Sequence, residues 1–116
     1  MKISTVESDP ECGLDVALAV IGGKWKPLVL FYLAREPCRF GKLRRLVAGI
    51  TEKVLIQQLR ELQGDGIVSR TDYREVPPRV DYRVTPFGYK LAEALLPLCE
   101  WGNANRTRVA RIRRSK

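Results

Sequence analysis

Apolar residues recur at helical spacing in two adjacent segments in the middle of the chain. The first segment runs from Phe40 to a stop at Gly49, and the second begins after Thr51, which is a good helix N-cap. The apolar positions are Leu43, Leu46 and Val47 in the first segment and Leu55, Leu59 and Leu62 in the second. Gly64 and Gly66 end the second segment, so the pattern predicts two short helices joined by a sharp turn.

The pattern then changes to two short runs that are typical of β-strands. These runs, residues 67–74 and 79–85, are separated by the sequence EVPP at residues 75–78, which predicts a hairpin. The two prolines fix φ and are expected to keep the turn stiff. Ahead of the two helices, residues 38–40 are predicted to form a short strand that pairs with this hairpin.

Three further helices are predicted around this centre. Residues 14–21 are apolar on most of their surface, which favours burial on more than one side. Pro27 suits the first position of the next helix. The core candidates of that helix are Leu28, Leu30, Phe31 and Leu33. After the hairpin, Thr85 as N-cap and Pro86 at the first position begin a last helix that extends to about Trp101.

These elements predict an α+β, mainly α, fold: a winged helix-turn-helix whose second helix fits a DNA major groove and whose hairpin is the wing. Residues 1–11 are expected to be a flexible leader, residues 12–102 the winged helix-turn-helix domain and residues 103–116 a basic C-terminal tail. The first and last helices carry more apolar surface than so small a domain is expected to bury, so we predict that they form a dimer interface. Its candidate residues are Leu14, Leu18, Leu95, Leu98 and Trp101.

The charge of the chain points to a polyanionic partner. The formal net charge is +8, and the segment from Arg39 to Arg60 carries six bases against one acid, Glu52. A basic patch on a helix-turn-helix predicts binding to double-stranded DNA. Residues 101–116 add six bases and no acid. This last run either contributes to binding of the polyanion or is an ordinary solvated surface.

The residue types present argue against an enzyme and against a metal protein. The chain has three cysteines and no histidine, so no Ser-His-Asp or Cys-His arrangement can form, and it has no Gly-rich phosphate loop. Without a CxxC pair, a zinc site is not expected, and we predict no cofactor. No run reaches the roughly 20 apolar residues of a membrane span, and the N-terminus lacks the apolar segment of a secretory signal. A cytoplasmic location with no membrane partner is therefore expected.

Helical spacing separates the residues of the second helix that can face DNA from those of the core. Lys53, Ile56 and Gln57 are the predicted base-reading residues, since lysine can donate to guanine and glutamine can pair with adenine. Ile56 either meets a thymine methyl group or is an extra core residue. The predicted contacts with the DNA backbone are Arg44, Arg45, Thr51, Arg60 and Arg79. For the wing, the alternative is that its prolines merely close the hairpin.

The motif IGGKW at residues 21–25 and the motif EVPPRVDY at residues 75–82 occur together in this chain, and their pairing is highly specific. With several shorter motifs they resemble the HxlR-type transcriptional regulators, a bacterial winged-helix family related to the MarR regulators, and the resemblance covers roughly residues 12–102. The other matching segments are Cys12, RF at 39–40, LR at 43–44, GIT at 49–51, KVL at 53–55, LREL at 59–62, DGIV at 65–68 and CEWG at 99–102.

This resemblance implies a homodimeric, sequence-specific transcription factor that binds an inverted-repeat operator, often beside its own promoter. It also implies that, in some members, the cysteine before the first helix senses oxidants or electrophiles, which makes Cys12 the candidate redox sensor and a small oxidant or electrophile a candidate partner. Two departures stand out. Gly13 follows the cysteine where proline is common, and Ile56 and Gln58 stand where small hydroxyl and basic residues are frequent, which suggests a changed operator sequence.

The residues around Cys12 leave its role open. Cys12 precedes a predicted helix N-terminus, whose N–H groups attract negative charge, whereas the neighbouring acids Asp9 and Glu11 oppose a thiolate. An inert, packed cysteine is the common state of this residue type. Cys38 and Cys99 are expected to be buried packing residues.

Two other functions use the same features of the chain. An architectural protein would bind DNA through the same basic surface without sequence preference, and a winged helix can instead serve as a protein-interaction module. A regulator should prefer its own upstream region over random DNA by roughly 10³-fold or more, and an architectural protein should not. The basic residues of segment 39–60 argue against the interaction module, because the core of a protein interface is depleted in lysine.

Overall fold

Five helices and one β-hairpin make up residues 12–115, the part of the chain that the computed structural model describes. In chain order they are α1 (Leu14–Ile21), α2 (Trp25–Arg35), α3 (Phe40–Leu46), α4 (Glu52–Gly64), β1 (Val68–Asp72), β2 (Val80–Val84) and α5 (Pro86–Arg114). The predicted leader, residues 1–11, lies outside the described residues. The helix-turn-helix formed by α3 and α4, followed by the hairpin, confirms the prediction of a mainly α winged helix-turn-helix.

The core lies between α2, α4 and the hairpin. α4 contributes the apolar stripe that its sequence predicts, Leu55, Leu59 and Leu62, each at most 1% exposed. α2 contacts α3, α4, α5 and β2, so this helix is the centre of the fold. Because one face of α4 is fully buried, its opposite face is left to solvent.

α2 differs from its sequence prediction in two respects. It begins at Trp25 and not at Pro27, which is its third residue; proline is tolerated there because the N–H groups of the first turn have no partner within the helix. Of its predicted core residues two are buried, whereas Leu28 and Phe31 are each 39% exposed. These two side chains face a groove beside α5 and not the core.

A tight turn at Gly49 sets the path from α3 to α4. Gly49 has a φ of +86°, in the left-handed region where a residue with a side chain is strained. Two residues later, the Thr51 hydroxyl accepts a hydrogen bond from the Val54 N–H at 3.2 Å and caps α4. The cap at Thr51 is therefore confirmed, whereas α3 ends at Leu46, before the predicted stop at Gly49, which lies in the turn.

β1 and β2 pair in antiparallel fashion along their whole length. The additional strand predicted at residues 38–40 is reduced to one bridge, in which the backbones of Cys38 and Tyr82 exchange hydrogen bonds of 3.0 and 2.8 Å. It does not extend further because Phe40 already begins α3. The bridge still ties the hairpin to the helix-turn-helix.

α5 begins where it was predicted and ends later. The Thr85 hydroxyl caps the helix, and Pro86 occupies its first position. The predicted end near Trp101 is wrong, because the helix continues without interruption to Arg114. The predicted basic tail is thus helical over most of its length. Packing of α5 against the core reaches only to Leu95, and beyond that point most of its residues are exposed.

The helices and the potential metal ligands of residues 12–115 show whether this part of the chain could cross a membrane or hold a metal ion. No single helix in this range is both long and apolar enough to cross a membrane; α1 and α2 meet the length and hydropathy only when taken together, with a bend of 80° between them. Over the same residues, no group of three or more His, Cys, Asp or Glu side chains is arranged to hold a metal ion.

Candidate nucleic-acid interface

The exposed face of α4 carries the residues that the sequence predicts to read bases. Lys53, Gln57 and Arg60 are exposed, and Ile56 is 37% exposed, so Ile56 is a surface residue and not an extra core residue. Together with Glu52 they line one shallow, open surface. Positions 53, 56, 57 and 60 follow the i, i+3, i+4, i+7 spacing that places side chains on one side of a helix. The structure thus brings these candidates together.

An ion pair links α2 to α4. Lys26 Nζ lies 2.6 Å from Glu61 Oε1, and the Lys26 side chain is mostly buried. The hydrogen bond and charge of Lys26, helped by Gln57, lower the pKa of Glu61 below its ordinary value. Sequence reasoning missed this pair because 35 residues separate its members and only the fold brings them together.

The candidate phosphate contacts of the helix-turn-helix lie on α3 and at the start of α4. Arg44 and Arg45 are exposed on α3, and Arg44 Nη1 is 3.7 Å from Glu52 Oε2 across the turn. Since Glu52 borders the face of α4 that carries the predicted base-reading residues, Arg44 lies at the edge of that face. Thr51 is exposed at the N-terminus of α4, where unpaired N–H groups and the helix dipole favour an anion.

Arg79, the candidate contact of the wing, is held by two neighbours. Its guanidinium carbon lies 3.9 Å from the centroid of the Tyr73 ring, and its Nη1 lies 3.6 Å from Glu75 Oε1. Even so, 41% of the Arg79 side chain remains exposed and open to a partner. The sequence did not mark Tyr73 or Glu75 as neighbours of Arg79.

Asp81 organises the hairpin behind the wing tip and is the one buried charged residue among residues 12–115. Its carboxylate accepts hydrogen bonds from the Tyr73 hydroxyl at 2.9 Å and from Arg83 Nη2 at 3.3 Å. Arg83, and not Arg74 on the other arm of the hairpin, is the arginine that pairs with Asp81. The alternation of the hairpin was the one signal that could have found this set, since it places residues 73, 81 and 83 on one face.

The three cysteines are free thiols that differ in exposure. Cys38 is buried as predicted, its thiol donates to the Glu36 carbonyl at 3.4 Å, and burial raises the pKa of that thiol. The expectation that Cys99 is buried is wrong: Cys99 is exposed, because the packing of α5 against the core ends at Leu95. Cys12 is half-buried and lies directly before Gly13, the N-cap of α1.

The residues predicted for a dimer interface lie on the outer sides of α1 and α5. Leu14, Leu18, Leu98 and Trp101 are exposed, and Leu95 is half-buried. Leu95 and Leu98 also line a groove of about 660 Å³ between α2 and α5. Exposed large apolar side chains on α1 and along the α5 groove are typical of a protein interaction site.

Comparison with known proteins extends the sequence resemblance. The family model for HxlR-like helix-turn-helix proteins matches residues 20–110. The chain is 50% identical over 91 residues to YkvN, an uncharacterized HTH-type transcriptional regulator of Bacillus subtilis (strain 168), and this alignment covers 78% of the chain and 77% of YkvN.

Solved structures give the same result. The redox regulator HypR in its reduced form superimposes with a TM-score of 0.79 at 42% identity, over 84% of this chain and 96% of that one. The diamide-treated form of YodB from B. subtilis superimposes with a TM-score of 0.69 at 27% identity, over 83% and 93% of the two chains. Because the family model covers α2 to α4, the hairpin and most of α5, and these relatives are regulators and not enzymes, the chain belongs to the HxlR-like helix-turn-helix family of transcriptional regulators.

Proposed function

We propose that the chain is a homodimeric regulator that binds an inverted-repeat operator in a sequence-specific manner, with α4 of each subunit in the major groove. The exposed face of α4 carries this proposal, because Lys53, Ile56 and Gln57 lie together on it while the opposite face is buried. A single helix fits the width of the major groove. Two copies related by two-fold symmetry would read the two halves of an inverted repeat.

We assign base reading to three side chains of different chemistry. Lys53 donates to guanine O6 or N7, Gln57 pairs through two hydrogen bonds with adenine, and Ile56 contacts a thymine methyl group. The exposure of all three supports this assignment.

Contacts with the DNA backbone hold this helix in register. We assign them to Arg44, Arg45, Thr51 and Arg60 around α4 and to Arg79 on the wing, all at solvent-accessible positions. Such contacts position a protein on the duplex without reading its sequence. The basic charge of segment 39–60 supports the assignment.

The dimer forms through α1 and α5 in this proposal. Its support is the exposed apolar surface of Leu14, Leu18, Leu98 and Trp101 beside the half-buried Leu95. Burying those side chains against a second copy removes apolar area from water, which is the main driving force of stable protein association.

Cys12 is the proposed site of a response to oxidants or electrophiles. Its support is its place directly before α1, within the proposed dimer surface, and the likeness of the chain to the redox regulator HypR. A bulky adduct or a disulfide at Cys12 would shift the two subunits. The two α4 helices would then no longer match half-sites about 34 Å apart, and DNA would be released.

Two substitutions test which residues of this surface read bases and which contact the DNA backbone. Gln57→Ala should weaken binding to the DNA upstream of the chain's own gene by about 1–3 kcal/mol and relax the preference at one base per half-site. Arg45→Ala should weaken binding to all sequences alike and reduce the slope of log Kobs against log salt by about one for each phosphate that the protein no longer neutralises.

Titrations of both variants on the upstream region and on random DNA distinguish the outcomes. If both lost the same affinity for specific and random DNA, the placement of α4 in the major groove would be wrong. A native chain that bound both DNAs equally would instead be an architectural protein.

A further inference from the structure

We propose that Tyr73 is the residue that positions the wing for DNA: its ring is the platform on which the Arg79 guanidinium is held, and Asp81 with Arg83 locks that ring in place. The inference rests on the proposed function, in which Arg79 contacts DNA. It adds residues that act on DNA binding through Arg79 without needing to touch DNA.

Tyr73 and Arg79 face each other across the hairpin. The Tyr73 N–H donates to the Arg79 carbonyl at 2.9 Å, which continues the ladder one pair beyond Asp72 and Val80. Side chains directly opposite in an antiparallel ribbon lie on the same face and contact each other. The guanidinium carbon of Arg79 is 3.9 Å from the Tyr73 ring centroid, well within the roughly 6 Å at which a ring face attracts a cation.

The far end of the Tyr73 ring is fixed by hydrogen bonds. Its hydroxyl donates to Asp81 Oδ2 at 2.9 Å and accepts from Arg83 Nη2 at 3.1 Å, so both roles of the phenol are satisfied. Arg83 Nη2 also lies 3.3 and 3.5 Å from the two Asp81 oxygens. Asp81 is buried, so the Tyr73–Asp81 hydrogen bond is partly shielded from water, which strengthens it, whereas Arg83 is exposed. The ring is thereby held in one orientation.

An arginine held in this way has less freedom to lose on binding. A free arginine side chain loses much of its rotamer entropy when a phosphate or a groove fixes it. Arg79 has lost part of that freedom already, yet much of its side chain remains exposed. Ordering a contact residue before binding raises affinity without adding a contact.

Glu75 is the second neighbour of Arg79, and DNA would replace it. Glu75 Oε1 lies 3.6 Å from Arg79 Nη1, and about half of its own side chain is exposed. Exposed ion pairs of this kind are weak. A phosphate can therefore displace Glu75 from the guanidinium while the Tyr73 ring keeps Arg79 in place.

A double-mutant cycle on DNA binding tests this positioning role. Tyr73→Leu removes the ring, Arg79→Gln removes the charge, and fluorescence anisotropy follows binding of the native chain, both variants and the double variant to the DNA upstream of the chain's own gene. Tyr73→Leu should weaken binding by about 5-fold in the native background and have no further effect in the Arg79→Gln background. Tyr73→Phe, which keeps the ring face but loses the hydroxyl that locks the ring, should bind with an affinity between those of the native chain and Tyr73→Leu.

Two further readouts separate positioning from a merely structural role. Arg79→Gln should lower the salt slope by about one, whereas Tyr73→Leu should leave it unchanged because the charge is still present. In the free protein, ring currents should move the Arg79 side-chain NMR signals upfield in the native chain and in Tyr73→Phe, but not in Tyr73→Leu. As a matched control, Arg70→Gln, at an exposed arginine of β1, should combine additively with Tyr73→Leu.

The outcomes separate this inference from the proposed function. Equal weakening by Tyr73→Leu in both backgrounds would give Tyr73 a structural role only and overturn the inference. If Tyr73→Leu bound DNA as tightly as the native chain while Arg79→Gln bound more weakly, the positioning role of Tyr73 would also be overturned. The contact of Arg79 with DNA would be supported. Native binding by Arg79→Gln would overturn the wing contact and the inference together. Should Tyr73→Leu fail to fold, Tyr73→Thr, which also lacks a ring and suits a strand, takes its place under the same criteria.

Discussion

The first turn of α5 leaves no room for a side chain at Gly88. A Cβ at this position would overlap the Ile67 carbonyl oxygen and come within 2.8 Å of Val84 Cγ1. The carbonyl is not free to retreat, because it accepts a hydrogen bond from the Thr85 N–H at 3.0 Å, and the adjacent Gly66 carbonyl accepts one from the Thr85 hydroxyl at 2.6 Å. Gly88→Ala must therefore push α5 away from the hairpin or break these bonds.

The expected loss in the free energy of unfolding can be estimated from the changes in packing and hydrogen bonding. Overpacking a rigid site costs about 1–3 kcal/mol, and loss of one hydrogen bond of Thr85 adds about 1 kcal/mol. Because alanine has a higher helix propensity than glycine, the substitution also stabilises α5 by about 0.5–1 kcal/mol. We expect Gly88→Ala to lower the free energy of unfolding by about 1–3.5 kcal/mol, which for a chain of this length lowers Tm by about 4–14 °C.

Thermal unfolding followed by circular dichroism measures this, with all proteins at one concentration because association would raise Tm. Gly64→Ala is the matched control: it makes the same substitution at the last residue of α4, where no heavy atom lies within 4 Å of the added Cβ. The control should unfold at or slightly above the native Tm. A Gly88→Ala chain that unfolded at or above the native Tm would refute the close packing of α5 on the hairpin.

Three further predictions concern the ion pair, the dimer and the thiol. Because Lys26 lowers the pKa of Glu61, the pair stabilises the fold above the unfolded value of 4.5, and this contribution is lost as pH falls through the lower folded pKa. Glu61→Gln should therefore be less stable than the native chain to urea at pH 7 but not at acid pH, and an equal loss at both would contradict the pairing. Leu98→Glu should reduce the dimer to its 13.2 kDa monomer in light scattering, and a native chain already at that mass at micromolar concentration would contradict the dimer. Diamide should weaken DNA binding by the native chain and by Cys99→Ser but not by Cys12→Ser, and a fully sensitive Cys12→Ser protein would remove Cys12 as the sensor.

Elements with strong local signals could be predicted from the sequence. The apolar stripe of α4 sets which face is buried, and the hydroxyls of Thr51 and Thr85 mark two helix starts. These features depend on residues within one or two turns of each other. The exposed face of α4 follows from the same periodicity, which is why its candidate residues could be named before the fold was known.

Features that depend on distant contacts could not be predicted. The Lys26–Glu61 pair and the placement of Arg79 on Tyr73 arise only when separate elements meet. The length of α5 was underestimated for a different reason. Gly102 is a weak helix former, but an isolated glycine costs a helix only about 1 kcal/mol, and the alanines and arginines that follow favour the helix.

The most direct test of the account compares two DNAs of equal length at one salt concentration. One is the region upstream of the chain's own gene, and the other is random sequence. We expect the native chain to prefer the upstream region by on the order of 10³-fold or more, and Gln57→Ala to lose part of this preference. Equal affinity for the two DNAs would contradict the assignment of α4 as a reader of sequence.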